Sequence, residues 1–180
     1  MLVIGNGESR KDIDIDTIKD TKIGCNAICR DYKVDYLVAC DKRMVKESIA
    51  KNINPIYTRQ RWKLAFNHPS LHSVPDLPYK GKQRQDEPIN WGSGPYAVLL
   101  GSQLSNNICL IGFDLYEGNI YRATPNYNTK DVDPSYWIYQ LARIFDTYKE
   151  KQYKILNKVD WKLPKDWNFP NVSVDTLDKL

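Results

Sequence analysis

Four polar residues follow directly after short apolar runs in this chain, and their types suit the recognition of a nucleotide. Asn6 follows LVIG, Asn26 follows KIGC, Asp41 follows DYLVAC and Asp114 follows ICLIGF. An asparagine amide offers a donor and an acceptor to ribose hydroxyls or a base edge, and a carboxylate accepts hydroxyl protons or holds a metal. If the apolar runs are parallel strands, these residues share the sheet edge where ligands of open α/β sheets bind.

Two glycine-rich turns could hold the phosphate of such a ligand. The first is GNG at residues 5–7, and the second is GSGP at residues 92–95, just before an apolar stretch. Glycines let the backbone approach a ligand closely, and the N–H groups of a helix start, where Ser93 is the predicted N-cap, favour an anion. Neither turn is a GxGxxG fingerprint or a Walker A loop, so the pattern selects neither NAD nor ATP. An ordinary strand-to-loop turn is the alternative interpretation of the first.

The net charge of +4 conceals a basic block in residues 42–84. This block holds ten Lys or Arg residues against only Glu47 and Asp76, a local balance of +8. Such a block favours an anionic partner, which could be a nucleotide, a phosphorylated acceptor or nucleic acid. A solvated basic surface explains the block equally well.

The elements that must position these residues alternate between strands and helices. Apolar runs predict strands at residues 2–4, 22–27, 35–40, 56–58, 108–113 and 153–156, and helical spacing predicts helices at 42–50, 93–104 and 135–149. This alternation predicts an α/β fold, namely a single three-layer Rossmann-like domain with a mostly parallel sheet over residues 1–157. Residues 60–90, with four prolines, are predicted as an irregular, lid-like loop. Residues 158–180 are predicted as a C-terminal tail packed on the domain.

Length and composition narrow the class of protein. A chain of 180 residues fits one domain. No apolar run reaches about 18 residues and no basic-then-apolar leader is visible, so we expect no stable membrane insertion and a cytoplasmic protein, in the host cytoplasm if it is viral. The four cysteines lack a second Cys/His cluster, which favours free thiols in a reducing compartment over a zinc site. The Lys/Asn/Ile-rich composition indicates an AT-rich genome, bacterial or viral.

Two blocks of residues occur in the order and spacing of a known family. The first block is GNGES at residues 5–9 followed by GCN at residues 24–26. The second is GSGPYA at residues 92–97, an apolar helix, IGFDLY at residues 111–116 and then Tyr121. Together they resemble the bacterial sialyltransferases that decorate lipooligosaccharide, and 6-hydroxymethylpterin diphosphokinase-like proteins have an opening similar to the first block. The resemblance covers roughly residues 2–122.

The resemblance implies a glycosyltransferase A-like domain that binds a CMP-linked sugar and transfers it to an unknown acceptor. The contacts to the nucleotide-sugar would come from Gly5, Asn6, Gly7, Asn26, Asp41, Ser93, Gly94 and Asp114. Tyr116 and Tyr121 would donate hydrogen bonds to the leaving phosphate, because neutral phenols can stabilise developing charge without a metal. The donor substrate is then the only small molecule required, with no metal or other cofactor.

Two departures from the family bear on catalysis. Glu8 stands where these families usually have Pro and places negative charge near the predicted anion site. The sialyltransferases use a histidine general base before the C-terminal helix, where this chain has Asp131 and Asp133. Either carboxylate can act as a general base if its geometry is right. The alternatives are that His68 or His72 reaches over from the long loop, or that sialyl-type transfer is lost.

Two further functions stay open. A diphosphokinase or nucleotide hydrolase on the same scaffold would use Asp41 and Asp114 to hold Mg²⁺ across phosphates. A catalytically inactive module would keep the fold and bind a nucleotide or nucleic acid, with the basic block as the contact surface. Metal dependence distinguishes the first function, and salt-dependent retention on nucleic acid distinguishes the second.

Overall fold

Short apolar runs such as LVI at the start of the chain form the strands, since a parallel strand covered on both faces carries no polar alternation. The computed structural model describes residues 1–116, 118–128, 130 and 132–180. Eight strands lie within these ranges: β1 (Leu2–Ile4), β2 (Lys22–Cys25), β3 (Tyr36–Val38), β4 (Ile56–Thr58), β5 (Leu71–Ser73), β6 (Asn107–Ile111), β7 (Gln152–Asn157) and β8 (Val172–Thr176).

Helices fill the connections between these strands. The α-helices of the described ranges are α1 (Lys42–Ala50), α2 (Gln60–Phe66), α3 (Ser93–Leu104) and α4 (Ser135–Thr147). Short 3-10 turns complete the other connections, including one at Asn26–Arg30 directly after β2. None of these helices combines the length and the apolar character that crossing a membrane requires.

The strands form one sheet in the order β5-β4-β3-β2-β1-β6-β7-β8, and every neighbouring pair is parallel. The chain moves outward from β1 to β5, returns to the other side of β1 as β6, and moves outward again to β8. The direction in which successive strands are added to the sheet therefore reverses between β1 and β6. In open α/β sheets, the crevice beyond the carboxyl ends of the strands at such a switch point is where ligands bind.

Each face of the sheet has its own apolar core. One face is covered by α1 and the 3-10 turns at Ile15–Thr17 and Asn26–Arg30, with a core that includes Ile4, Ile28, Leu37, Met44 and Val45. The other face is covered by α3 and α4, with a core that includes Val98, Leu99, Leu141, Phe145 and Trp167. These three layers confirm the predicted α/β Rossmann-like class, and the sheet is wholly parallel.

Two segments contain more regular structure than their sequences indicate. Part of the segment 60–90 is regular, because it contains α2 and β5. The helix α2 lacks a clean apolar stripe, since Leu64 is 68% exposed while Trp62 and Phe66 are only half-buried. The segment 158–180 contributes β8, which pairs with β7 at the edge of the sheet. Because an edge strand is partly solvated, its sequence VSVDT carries little apolar signal.

Candidate functional site

A cavity of about 580 Å³ lies at the carboxyl edge of the sheet, over the switch point between β1 and β6. All eight predicted nucleotide-sugar-binding residues line it, namely Gly5, Asn6, Gly7, Asn26, Asp41, Ser93, Gly94 and Asp114. The volume falls within the range of about 300–1,000 Å³ that is usual for small-molecule sites. The fold therefore brings residues from five separate turns to one concave surface.

The base of this cavity consists of two backbone turns in direct contact. The Gly5 N–H donates to the Ile111 carbonyl at 2.8 Å, and the Gly7 N–H donates to the Gly112 carbonyl at 2.9 Å. A Cβ added to Gly5 would lie 2.3 Å from the Gly112 carbonyl oxygen, and Gly112 itself has a φ of +69°. The first glycine-rich turn is therefore required for backbone packing at the switch point, whatever ligand binds there.

Asp114 ties this base together from β6. Its side chain is buried, and its carboxylate accepts hydrogen bonds from the Ser9 N–H at 2.6 Å, the Ser9 hydroxyl and the Asn157 amide at 3.3 Å. A Cβ on Gly7 would lie within 3 Å of this carboxylate. Because both carboxylate oxygens accept hydrogen bonds from the protein, Asp114 connects the loop after β1 to β6 and β7.

Ser93 links three elements at the other side of the cavity. Its hydroxyl donates to the Asn26 side-chain oxygen at 2.9 Å and accepts from the Cys40 N–H at 3.0 Å. Ser93 is the first residue of α3 and Gly92 is the N-cap, so the predicted N-cap role is wrong by one residue. The hydroxyl bonds to the ends of β2 and β3 and not to its own helix. Within the described residues, the Asn26 amide nitrogen has no hydrogen-bond partner, so it can donate to a ligand.

Two helices begin at the cavity and point their positive ends toward it. The first-turn N–H groups of α1 and α3 have no intrahelical acceptors, and Pro95 occupies the first turn of α3. The described lining residues include four cations, Lys42, Arg43, Arg122 and Lys130, and two carboxylates, Asp41 and Asp114. Helix dipoles and an excess of cations both favour an anionic ligand.

A buried arginine that the sequence analysis missed holds the GNG turn in place. Arg10 is 2% exposed, and its Nε donates to the Gly5 carbonyl at 2.6 Å while a terminal nitrogen donates to the Asn6 side-chain oxygen at 3.2 Å. The Asn6 amide nitrogen in turn donates to the Cys25 carbonyl and the Tyr127 hydroxyl. Both amide N–H groups of Asn6 are thus used within the protein, and its oxygen accepts one bond. Nothing in the local sequence distinguishes Arg10 from a surface arginine.

The structure brings neither predicted catalytic tyrosine to the lining of the cavity. Tyr116 is 71% exposed, whereas Tyr121 is 4% exposed and donates to the Asp31 carboxylate at 2.6 Å. Burial, followed by the Asp31 carboxylate, raises the pKa of Tyr121. A role for either phenol at the leaving phosphate would require it to move. Tyr127, which was not predicted, does line the cavity, and burial raises its pKa to about 12.

The candidate general bases also differ in their surroundings. The Asp133 carboxylate accepts from the N–H and the hydroxyl of Ser135 at the start of α4, at 2.9 and 3.0 Å. Asp131 lies outside the described residues. At the far edge of the sheet, His68 pairs with the Ser70 hydroxyl at 2.7 Å and His72 stacks on the Tyr57 ring. Neither histidine is among the residues that line the cavity.

Asp41 is the exposed carboxylate of the cavity. It is the N-cap residue of α1, and its side chain makes no capping hydrogen bond. The carboxylate can therefore reach a ligand.

Thiol and metal chemistry have little support from the described residues. Burial raises the pKa of both Cys25 and Cys40 to about 12, so these thiols are neutral near pH 7 and are poor nucleophiles. Among the residues that the structure describes, no three His, Cys, Asp or Glu side chains come together in a way that could hold a metal ion.

The basic block divides between the cavity and its surroundings. Lys42 and Arg43 line the cavity, whereas Arg59 donates internally to the carbonyls of Cys40 at 3.2 Å and Trp91 at 2.8 Å. Arg61 stacks at 4.2 Å over the Trp62 ring and lines a second cavity of about 660 Å³. Only part of the block can therefore contact a ligand in the first cavity.

Comparisons with protein-family models, curated proteins and solved structures found no match for this chain. The fold and the site together define a class: a Rossmann-like α/β domain with a cavity suited to an anion at its switch point. Any more specific function has to be argued from the residues of that cavity.

Proposed function

We propose that this chain binds a nucleotide-sugar, with a CMP-linked donor favoured, in the switch-point cavity and transfers the sugar to an acceptor. The observation that carries this proposal is the meeting of two helix N-termini and four cationic side chains at one cavity. A phosphodiester is the anion that this arrangement suits. The resemblance of the two sequence blocks to the sialyltransferases supports the choice of a CMP-linked donor.

The cavity also has groups suited to a nucleoside and a sugar. The amides of Asn26, Asn126 and Asn128 provide polar groups on its lining, and Phe113 and Trp137 provide apolar surface. An apolar lining with a few convergent polar groups is typical of small-molecule sites. The anion-binding groups would hold the phosphate, and the amides would orient the hydroxyl groups.

Transfer needs a base for the acceptor and stabilisation for the leaving group. The bond between the sugar and the phosphate oxygen breaks, CMP leaves with the bonding electron pair, and the acceptor oxygen bonds to the sugar carbon as its proton passes to a base. Asp41 is better suited than Asp133 to act as the general base, because it lines the cavity and its carboxylate makes no capping bond. Lys42 and Arg43 would stabilise the charge that develops on the phosphate.

Nucleotide binding is the first test of this function. The test compares CMP, CDP, UDP, GDP and their sugars in the presence of EDTA, by thermal denaturation and by calorimetry. We expect CMP or a CMP-sugar to raise the melting temperature of the protein and to show binding in the calorimeter. Ser93→Ala should weaken CMP binding about tenfold, or about 1.4 kcal/mol, because it removes the bonds that fix Asn26 beside α3.

The matched control is Ser102→Ala, which lies in the same helix. The Ser102 hydroxyl bonds to the Val98 carbonyl and the Tyr153 hydroxyl, away from the cavity. This variant should bind CMP as the wild type does. The absence of binding by every nucleotide, or equal affinities for Ser93→Ala and wild type, would contradict the proposal.

Nucleotide binding without turnover is the second candidate. It is favoured by the positions of Tyr116 and Tyr121 off the cavity and by the lack of a histidine on the described lining. Release of free sugar or a glycosylated product from a CMP-sugar, abolished by Asp41→Asn, would exclude this candidate. The diphosphokinase alternative has less support, because both oxygens of the Asp114 carboxylate already accept protein hydrogen bonds.

A further inference from the structure

Residues 119–128 form one side of the switch-point cavity, and we refer to them as the wall segment. Five of them line the cavity: Asn119, Arg122, Asn126, Tyr127 and Asn128. The segment belongs to the connection between β6 and α4 and contains no helix or strand. Its backbone is joined to the GNG turn by a single bridge between Gly7 and Asn119 and by the Ile120 N–H, which donates to the Asn6 carbonyl at 2.9 Å. Other contacts must therefore hold its far end.

An ion pair outside the cavity makes several of those contacts, in addition to the hydrogen bonds of Tyr121 with Asp31 and of Tyr127 with Asn6 and Ala27. Arg30 donates to both carboxylate oxygens of Glu47, from Nε at 2.6 Å and from a terminal nitrogen at 2.8 Å. The same guanidinium donates to the Thr124 hydroxyl at 2.8 Å and to the Pro125 carbonyl at 2.6 Å. Glu47 accepts from the Asn126 amide at 2.8 Å. We call this pair the Arg30–Glu47 clip.

The clip also contacts the aromatic residues of the wall segment. The Arg30 guanidinium carbon lies 5.7 Å from the centre of the Tyr121 ring and 5.8 Å from that of the Tyr127 ring. The two rings are 5.9 Å apart. Arg30 therefore contacts the wall segment through two hydrogen bonds and two aromatic rings, while Glu47 holds a third polar group.

The clip joins three elements that line the cavity. Arg30 ends the 3-10 turn that begins with Asn26, and Glu47 belongs to α1, whose first turn carries Lys42 and Arg43. The side chains of Arg30 and Glu47 are only 16% and 18% exposed, and their geometry is bidentate. Such a pair is strongly oriented, unlike most surface ion pairs.

We propose that Arg30 and Glu47 are positioning residues, which hold the wall segment in the geometry that binds the nucleotide of the proposed function. Neither side chain lines the cavity, so neither touches the ligand. Without the clip, the wall segment populates open positions, and the apparent dissociation constant rises by the inverse of the fraction that stays closed. A tenfold loss of affinity corresponds to a closed fraction of about one tenth.

Hydrogen exchange and CMP binding together test this role in the full chain. Glu47→Gln keeps the size of the side chain but removes its charge. We expect it to raise amide exchange in residues 119–128 and the Kd for CMP, each about tenfold, without faster exchange in β1 or β6. Arg30→Lys keeps the charge but loses the two-pronged geometry and the bonds to Thr124 and Pro125 that depend on it, so it should raise both readouts at least as much as Glu47→Gln.

Asp175→Asn is the matched control. Asp175 pairs with Lys154 at 3.0 Å between β7 and β8, and neither residue lines the cavity. We expect this variant to match the wild type in both readouts. If a charge change at Glu47 disrupts folding, Thr124→Val removes one contact between Arg30 and the wall segment, together with the bond from the same hydroxyl to the Tyr121 carbonyl, without touching the cavity lining. It should raise both readouts by about threefold.

The outcomes separate this inference from the proposed function. Equal exchange and equal Kd in Glu47→Gln, Thr124→Val and Asp175→Asn would overturn the positioning role. Faster exchange with an unchanged Kd would overturn it as well, since the wall segment would then not matter for binding. If the wild type binds none of the nucleotides, the proposed function fails, and the exchange comparison alone decides whether the clip holds the wall segment.

Discussion

The base and the wall segment of the cavity are built in different ways. The base lies at the ends of β1 and β6, and backbone hydrogen bonds between the two turns fix it, as between the Gly7 N–H and the Gly112 carbonyl. The wall segment has no regular structure, and bonds from side chains fix most of it, such as the bond from the Arg30 guanidinium to the Thr124 hydroxyl. The sheet therefore holds the base of the cavity in place, whereas the position of the wall segment depends on the bonds of a few polar side chains.

The largest effect should follow from Gly5→Ala, which breaks the base at the switch point. The new Cβ would lie 2.3 Å from the Gly112 carbonyl oxygen, a backbone atom that cannot swing away as a side chain could. We expect a loss of about 3 kcal/mol or more in the free energy of unfolding, measured by urea denaturation.

Gly94→Ala provides the control for that prediction. Its added Cβ would lie 3.4 Å from the Phe113 ring, a contact that small adjustments can accommodate. We expect a change within about 1 kcal/mol. Equal losses in the two variants would show that the backbone contact between the two turns does not limit stability.

A smaller effect on the base should follow from Asp114→Asn. The amide nitrogen replaces one acceptor oxygen, so the buried N–H or hydroxyl of Ser9 loses its partner. We expect a loss of about 2–3 kcal/mol in unfolding free energy. Asp76→Asn, at an exposed position, should stay within about 0.5 kcal/mol. A loss below 1 kcal/mol in Asp114→Asn would contradict the connecting role of this carboxylate.

The same contrast explains what the sequence could predict. Strand ends are visible as apolar runs followed by Asn, Asp or Gly, so the sequence alone could assign Asn26, Ser93 and Asp114 to one edge of the sheet. Arg10, Arg30 and Glu47 could not be assigned, because a buried or paired charge has the same local sequence as a solvated one. The wall segment has no periodicity, and its long-range bonds decide which of its tyrosines lines the cavity. The resemblance to the sialyltransferases therefore pointed to Tyr116 and Tyr121, whereas the tyrosine that lines the cavity is Tyr127.

The smallest effect should come from lowering the pH, which should loosen the wall segment before the base of the cavity. Hydrogen bonding from Arg30 lowers the pKa of Glu47, and burial opposes this shift. A hydrogen bond from the Asn126 amide and the charge of Lys51 lower the same pKa further. Because the folded pKa is below the unfolded one, the pair contributes its full stabilisation above about pH 4.3. This contribution is lost as the pH falls through the folded pKa.

Exchange at several acidic pH values tests this order. After correction for intrinsic exchange rates, residues 119–128 should lose protection at a higher pH than β1 and β6. In the Glu47→Gln variant, exchange in residues 119–128 should already be faster and should not change through this pH range, because it has no titrating carboxyl at that position. Simultaneous loss of protection in the wall segment and the strands would contradict a separately held wall segment.

A crystal structure of the chain with bound CMP decides whether the switch-point cavity holds the nucleotide. We expect CMP in the switch-point cavity, with its phosphate within hydrogen-bonding distance of the Ser93 or Gly94 N–H at the start of α3. CMP in the second cavity beside Arg61, or no bound nucleotide at saturating concentration, would contradict this expectation.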